Sequence, residues 1–297
     1  MSATSSALPT AINAVPQRSP GYWSNVLKRL RRDPMAMTAA GIILLIILVA
    51  VFAHWIMPAD PFQAGMLRRL RPLGTPNYPL GTDELGRDML SRLMLGARLS
   101  LFMGITPVIA AFVFGSAIGI IAGYAGGWVN TTIMRTVDVF YAFPSVLLAI
   151  ALSGTLGAGI FNALLSLTIV FIPQIARVAE SVTTQVRRSD YVDAARASGA
   201  RPFTIVRAHV LPNALGPIFV YATSLISVSM ILASGLSFLG LGVRPPEPEW
   251  GLMLNTLRTA IYSQPWVAAL PGAMIFITSI SFNLLSDGLR SAMEVKE

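Results

Sequence analysis

The sequence predicts an all-α membrane protein with six transmembrane helices. Three observations carry that prediction. Of the 297 residues, 54% are apolar and only 12% are Asp, Glu, Lys or Arg, whereas a soluble globular chain is about 25% charged. The mean hydropathy is +0.64. The apolar residues also gather into uncharged runs, and about twenty residues at 1.5 Å rise cover the roughly 30 Å hydrocarbon core of a bilayer. This composition excludes disorder, which needs low hydrophobicity and high net charge. It also leaves a soluble enzyme too little polar surface to cover itself.

The elements follow in order. Residues 1–27 are rich in Ser, Ala, Pro and Thr and read as a disordered tail. Residues 28–57 form a unit: the basic flank Lys28, Arg29, Arg31 and Arg32, then a first span at 38–57, stopped by Pro58 and Pro61. No compact cleavage site follows the basic cluster, so a signal peptide is not expected. Residues 58–98 are polar enough to lie outside the bilayer. Within them Met89, Leu93 and Ala97 recur every four residues, as do Leu90 and Met94. That spacing predicts an amphipathic helix running into the second span, with Asp88 and Arg92 as an acid-first pair upon it.

Residues 99–286 then read as a core of five helices. The second span (99–122) ends at the glycine-rich stretch 123–127. The third (133–153) and fourth (160–177) are parted by Gly154, Gly157 and Gly159. Charges return between 177 and 209. The fifth span lies within 210–243 and the sixth within 259–286, separated by a proline-stiffened, non-helical stretch at 244–250. Residues 287–297 form a short tail. Six spans place both ends on one side. With the ends inside, fourteen Lys and Arg face the cytoplasm and eight face out, so the positive-inside rule puts both termini in the cytoplasm. The net charge of +8 belongs to these flanks and does not point to nucleic acid.

Catalytic chemistry is not legible. There is no cysteine, which excludes disulfides, thiolate metal sites and a cysteine nucleophile. His54 and His209 are far apart and form no metal motif. No Gly-x-x-x-x-Gly-Lys-Ser/Thr sequence occurs, so the chain has no P-loop of its own. The spans hold almost none of the ionisable groups that a proton-coupled carrier needs. His54 and the pair Arg135 and Asp138 fall near predicted span ends and read as interfacial or structural residues.

Three segments stand out. In the first, at 180–212, Asp190 is expected to cap a short helix and Asp193 to suit its positive end. Gly199 suits the left-handed residue that ends it, and Pro202 the first turn of a second helix. Ala194 and Ala195 leave a face with almost no side chain, which another subunit can approach. An ordinary helix-turn-helix loop is the bland alternative. The second segment holds Gly81, Thr82, Asp83, Gly86, Arg87, Asp88, Ser91, Arg92, Gly96, Arg98 and Ser100. In the third, Pro245, Pro246 and Pro248 precede Trp250 and Gly251, and Trp250 is suited to an interface or docking surface.

The first segment resembles the signature of ABC importer permeases: Glu-Ala-Ala, three residues, Gly, nine residues, Ile, one residue, Leu-Pro. Ala194, Ala195, Gly199, Leu211 and Pro212 match it. Asp193 replaces Glu with its charge kept, and His209 stands where Ile is usual. The second segment resembles the Gly-Thr-Asp-x-x-Gly-Arg-Asp signature of the dipeptide, oligopeptide and nickel branch. The third resembles that branch's C-type subunit, as does Met134-Arg135 with Asp138 and Pro144. The resemblance covers roughly residues 30–291.

It implies the fold of a type I ABC importer transmembrane domain, with 180–212 as the coupling loop that an ATPase grips. It further implies a homologous second permease, two ATPase subunits that use ATP and Mg, and a periplasmic binding protein that sets the choice of peptide or related small solute. On this reading the chain binds no cofactor or metal and is not an enzyme. A gradient-driven carrier and a membrane scaffold without transport remain the competing classes; the loop at 190–212 discriminates against both.

Overall fold

A computed structural model describes residues 22–293. Residues 1–21 and 294–297, parts of both expected tails, lie outside the described residues. The expected disorder does not extend to residue 27. Residues Tyr22–Leu30 form helix α1, which buries Val26 and lays Leu30 beside Gly288 near the C-terminus. Asp33 then caps α2 (Pro34–Ile56), its Oδ1 accepting from the amides of Met35 at 2.9 Å and Ala36 at 3.2 Å. Pro34 occupies the first turn, where its missing N–H costs nothing. Ile43, Ile46 and Ala50 of α2 turn inward, whereas Leu44, Leu45, Leu48 and Phe52 are exposed. A helix apolar on every face belongs in lipid.

Met89–Ala125 is one helix, α3. The expected amphipathic helix and second span are therefore a single 37-residue element, since no Pro or Gly pair interrupts 89–106. The third span is not one helix: α4 (Gly127–Tyr141) and α5 (Ser145–Leu156) meet at an angle of 84°. Pro144 offers no amide hydrogen and forces its predecessor out of helical geometry. The fourth span, α6 (Ile160–Arg187), continues ten residues past its expected end. Arg177, Glu180 and Arg187 set a membrane limit, but such residues do not break a helix.

Two short helices follow, α7 (Asp190–Ala197) and α8 (Pro202–Ile205), then a π-helical turn at Val206–Val210 and α9 (Leu211–Phe238). α10 (Trp250–Thr256) precedes α11 (Pro265–Met293), which carries the helix through most of the expected C-terminal tail. Among the described residues, five helices are long and apolar enough to cross a membrane, and the bent α4–α5 pair, counted as one span, makes six. Among the described residues there is no strand; the isolated bridges Thr75–Tyr78 and Thr82–Asp88 lie in the 58–88 segment.

At the centre, α3, α6 and α9 share a core containing Val108, Leu167, Phe171, Ile175, Ile218 and Leu225. A second core joins α2, the start of α3, α10 and α11 through Ile43, Met89, Leu93, Trp250 and Val267. Helices α3 and α6 approach backbone to backbone. Gly115, Gly119 and Gly123 form a stripe every four residues, and a Cβ at Gly119 would lie 2.3 Å from the Ala176 carbonyl oxygen. With lipid outside there is little hydrophobic drive to join helices, so small residues that permit close van der Waals contact supply the cohesion.

Candidate functional site

The elbow at 188–212 begins where α6 ends. Ser189, not the expected Asp190, is the N-cap of α7: its backbone is extended (φ −79°, ψ 144°) and its carbonyl accepts from Val192 at 2.9 Å. Asp190 and Asp193 both lie in the first turn, where negative charge suits the helix end. Asp193 also accepts from Arg196 Nη1 at 2.8 Å. That pair is exposed and contributes little, about 0–1 kcal/mol.

Gly199 is left-handed as expected, at φ +79°. Its amide donates to the Arg196 carbonyl at 2.9 Å, and the Ala200 amide donates to the Ala195 carbonyl at 3.1 Å. These two bonds close α7 in a Schellman turn. Pro202 opens α8 with Arg201 as N-cap. The π turn then carries the chain into α9, where Leu211 and Pro212 fill the first positions. Pro212 has no N–H to give a carbonyl one turn back, and the wider turn accommodates that gap. His209, the departure from the family pattern, lies 6.1 Å from the Tyr191 ring and joins α7 to the π turn.

The elbow has two faces. Val192, Ile205 and Val210 are fully buried and belong to the central α3–α6–α9 core. Outward stand Tyr191, Ala194, Ala197, Gly199 and Phe203, while Ala195 is half-buried. Phe203 is 75% exposed, and the sequence reading did not single it out. Its signal was available: an aromatic immediately after the helix-opening Pro202. Behind α7 a polar cavity of about 630 Å³ separates it from the α3–α4 turn, lined by Asn130, Glu180, Arg187, Arg188 and Arg196 among others.

The other two segments meet at the opposite end of the bundle. Gly81 and Gly86, both at positive φ, bound the turn that carries Asp83. Thr82 Oγ1 accepts from the Arg71 amide at 2.9 Å. Asp83 Oδ1 accepts from the amides of Leu85 and Arg87 at 2.9 Å each, and Oδ2 from Arg87 Nε at 2.7 Å. Arg92 Nε lies 3.3 Å from the same Oδ2. The expected Asp88–Arg92 pair is therefore absent. Asp88 instead caps α3, accepting from the Ser91 amide at 2.8 Å and hydroxyl at 2.6 Å. An N-cap faces its own first turn, which leaves Arg92 to the carboxylate that the loop folds over it. Thr82, Asp83, Arg87, Asp88 and Arg92 are all buried, so the signature is a structural knot whose two acids offset its two arginines.

Arg92 Nη1 also donates to the Pro61 carbonyl at 2.9 Å and lies 3.5 Å from that of Pro246. Pro245 and Pro246 are exposed and Pro248 is buried. Trp250 is not the docking surface expected of it. It is fully buried, and its Nε1 donates to the Leu93 carbonyl at 3.0 Å. Gly251 seats α10 directly on the Ser234 backbone of α9. Glu249, missed in the sequence, caps α10 through the amides of Gly251 and Leu252, both at 2.9 Å, and accepts from Ser100 Oγ at 3.1 Å.

Burial pushes the Glu249 carboxyl above the usual carboxylate range, against the opposing pull of those donors. A raised carboxyl favours the fold at low pH and loses that advantage as pH rises through the folded value. Glu249→Gln, neutral like the protonated acid, is expected to melt close to wild type. Glu249→Ala strands three donors and is expected to cost about 2–4 kcal/mol. Thermal unfolding of the detergent-solubilised protein compares the two.

One more expectation is corrected between α4 and α6. Asp138 pairs with Arg177 of α6, and Arg135 is exposed without an ion pair to Asp138. Arg177 also lies over the Tyr141 ring, 4.7 Å from its centroid.

Comparison with known proteins agrees with this architecture. A family described as "Binding-protein-dependent transport system inner membrane component" matches residues 115–295. The "N-terminal TM domain of oligopeptide transport permease C" matches residues 21–72. The glutathione transport system permease protein GsiD of Escherichia coli O6:K15:H31 (strain 536) is 42% identical over 290 residues, 96% of each chain. GsiD of Pectobacterium atrosepticum is 40% identical over 274 residues, covering 92% of this chain and 91% of the relative. In fold, the chain is similar to one in the inward-facing MetNI methionine ABC transporter, with a TM-score of 0.57 and 21% identity over 69% of this chain and 97% of that one. The family match spans more than half of the sequence and the relatives nearly all of it, so this chain belongs to the binding-protein-dependent inner-membrane transport components: it is a multi-pass permease subunit of an ABC importer.

Proposed function

We propose that this permease passes a short peptide of the glutathione class, delivered by a periplasmic binding protein, and that the elbow at 188–212 is where the ATPase drives it. The substrate class follows that of the GsiD relatives, which belong to glutathione transport systems. The observation that carries the coupling role is the two-faced elbow. α7 has eight residues, too few to be stable alone. Its one fully buried side chain, Val192, contributes only about 1.5–3 kcal/mol. A partner over Tyr191, Ala194, Ala197 and Phe203 supplies the missing cover. Force on that face passes through Val192, Ile205 and Val210 into α6 and α9, which move as a close-packed unit.

The chain pairs with a homologous second permease, and each carries one elbow for one of two ATPase subunits. ATP-driven closure of the ATPases brings the elbows together and opens the path outward; hydrolysis resets it. ATP and Mg stay with the ATPases, and this chain hydrolyses nothing. Both termini lie on the ATPase side. The knot of Asp83, Arg87 and Arg92, locked to the Glu249–Trp250 cap, gives the binding protein a rigid platform on the other side.

The chain has no native cysteine, so Ala194→Cys or Ala197→Cys is a unique thiol. In the assembled transporter a short bifunctional reagent at either position is expected to trap an ATPase subunit. Crosslinks that reach only lipid, solvent or the other permease refute the coupling role.

A further inference from the structure

The break between α4 and α5 opens a cavity of about 410 Å³, lined by Tyr141, Phe143, Pro144, Ser145, Val170 and Gln174 among others. That volume is in the range of small-molecule sites, roughly 300–1,000 Å³. The Arg177–Asp138 ion pair adjoins it through the lining residue Tyr141, whose ring centroid lies 4.7 Å from the Arg177 guanidinium, and the paired side chains are 47% and 39% exposed. Gln174 and Arg177 are three residues apart on α6, as are Asp138 and Tyr141 on α4, so each pair shares a helix face. Asp138 is about 16 Å along α4 from Gly127, and Arg177 about 15 Å along α6 from Arg187, at 1.5 Å per residue. Both charges therefore stand about three turns from the α4 and α6 ends that adjoin the elbow, on helices of the membrane-spanning set.

Ionisable groups on spanning helices are costly where they meet lipid, and they mark pathways when they face a water-filled cavity. This pair is not sealed within the chain, as Asp83 and Arg92 are. A broken helix beside it is the usual setting of a transport site. The charge arrangement also selects its occupant. One cation and one anion side by side match a molecule carrying a free carboxylate and a free ammonium, whereas a simple anion or cation leaves one protein charge unanswered.

We propose that Arg177 and Asp138, with Tyr141 and Gln174, form a station on the translocation path that receives the charged groups of a zwitterionic peptide, its carboxylate at Arg177 and its ammonium at Asp138. This rests on the peptide-permease reading above and deepens it. The Tyr141 ring holds the guanidinium level by cation–π contact, and Gln174 offers both a donor and an acceptor to the peptide bond.

The test uses the complete transporter with Gln174→Cys as a unique thiol in this chain. Membrane-impermeant thiol reagents, one anionic and one cationic, are applied to the resting and the vanadate-trapped complex. The thiol is expected to react in at least one state. Exchanging the charges (Asp138→Arg with Arg177→Asp) is expected to invert the reagent preference by about tenfold, as a local field on rates allows. Saturating S-methylglutathione or alanyl-alanine, neither of which carries a free thiol to consume the reagent, supplied with binding protein and ATP, is expected to slow labelling by a comparable factor. A thiol silent in both states means that the second permease covers this face, and the proposal fails. It also fails if the charge exchange leaves the preference unchanged, as a merely structural pair would, or if neither peptide protects. Labelling needs no ATPase crosslink, so failure here leaves the coupling test standing, and the reverse holds too.

Discussion

Replacing Gly199 with valine is expected to abolish ATP-driven uptake by the assembled transporter while leaving the helix bundle folded. A Cβ at this position meets nothing within 4 Å, so no steric collision is involved. The penalty lies in the backbone. Gly199 is at φ +79°, a region that costs an ordinary L residue about 1–2 kcal/mol and a β-branched residue more. With so little buried side chain holding α7, that penalty is enough to straighten the corner and lose both Schellman bonds. The outer face then no longer presents Ala194, Ala197 and Phe203 together. Gly199→Asn, which tolerates the left-handed region, is expected to keep most of the activity. Uptake into proteoliposomes, ATPase co-purification and the melting temperature separate the cases. Wild-type uptake by the valine variant contradicts the role given to the elbow.

Gly119→Leu is expected to remove the folded permease altogether. Its Cβ would fall 2.3 Å from the Ala176 carbonyl oxygen and 2.6 Å from Ala179 Cβ. The obstacle is the backbone of α6, which cannot turn aside as a side chain can. Overpacking a core commonly costs about 1–3 kcal/mol when side chains can move. Here α3 and α6 must separate along a stripe that includes Gly115 and Gly123, so the cost is expected at or above the top of that range. Gly41→Leu on α2 is the control, because nothing lies within 4 Å of its Cβ. Fluorescence-detected size exclusion of both variants decides it: a monodisperse Gly119→Leu peak at wild-type height contradicts the packing argument.

Much of the site was legible because its logic is local. The left-handed turn needs a glycine at 199 and the second helix a proline at 202, and both requirements are met within a few residues of chain. The glycine stripe on α3 was equally local and visible at a four-residue spacing, yet its importance depends on which helix faces it. The 84° break between α4 and α5 is only half legible in the sequence: Pro144 is plain there, but a proline inside an apolar run either kinks or breaks a span according to what packs around it.

By itself the sequence determined the membrane class, the number of crossings and the shape of the elbow. Those follow from run length, residue propensity and contacts within one or two turns, which chain spacing specifies. Only the tertiary structure decided that Asp83 and not Asp88 neutralises Arg92, that Asp138 answers Arg177 across 39 residues, and that Trp250 is buried with its indole N–H on the Leu93 carbonyl, 157 residues away. A charge or an indole N–H takes the partner that lies closest in space once water is excluded, and no sequence spacing encodes which loop will be folded over it.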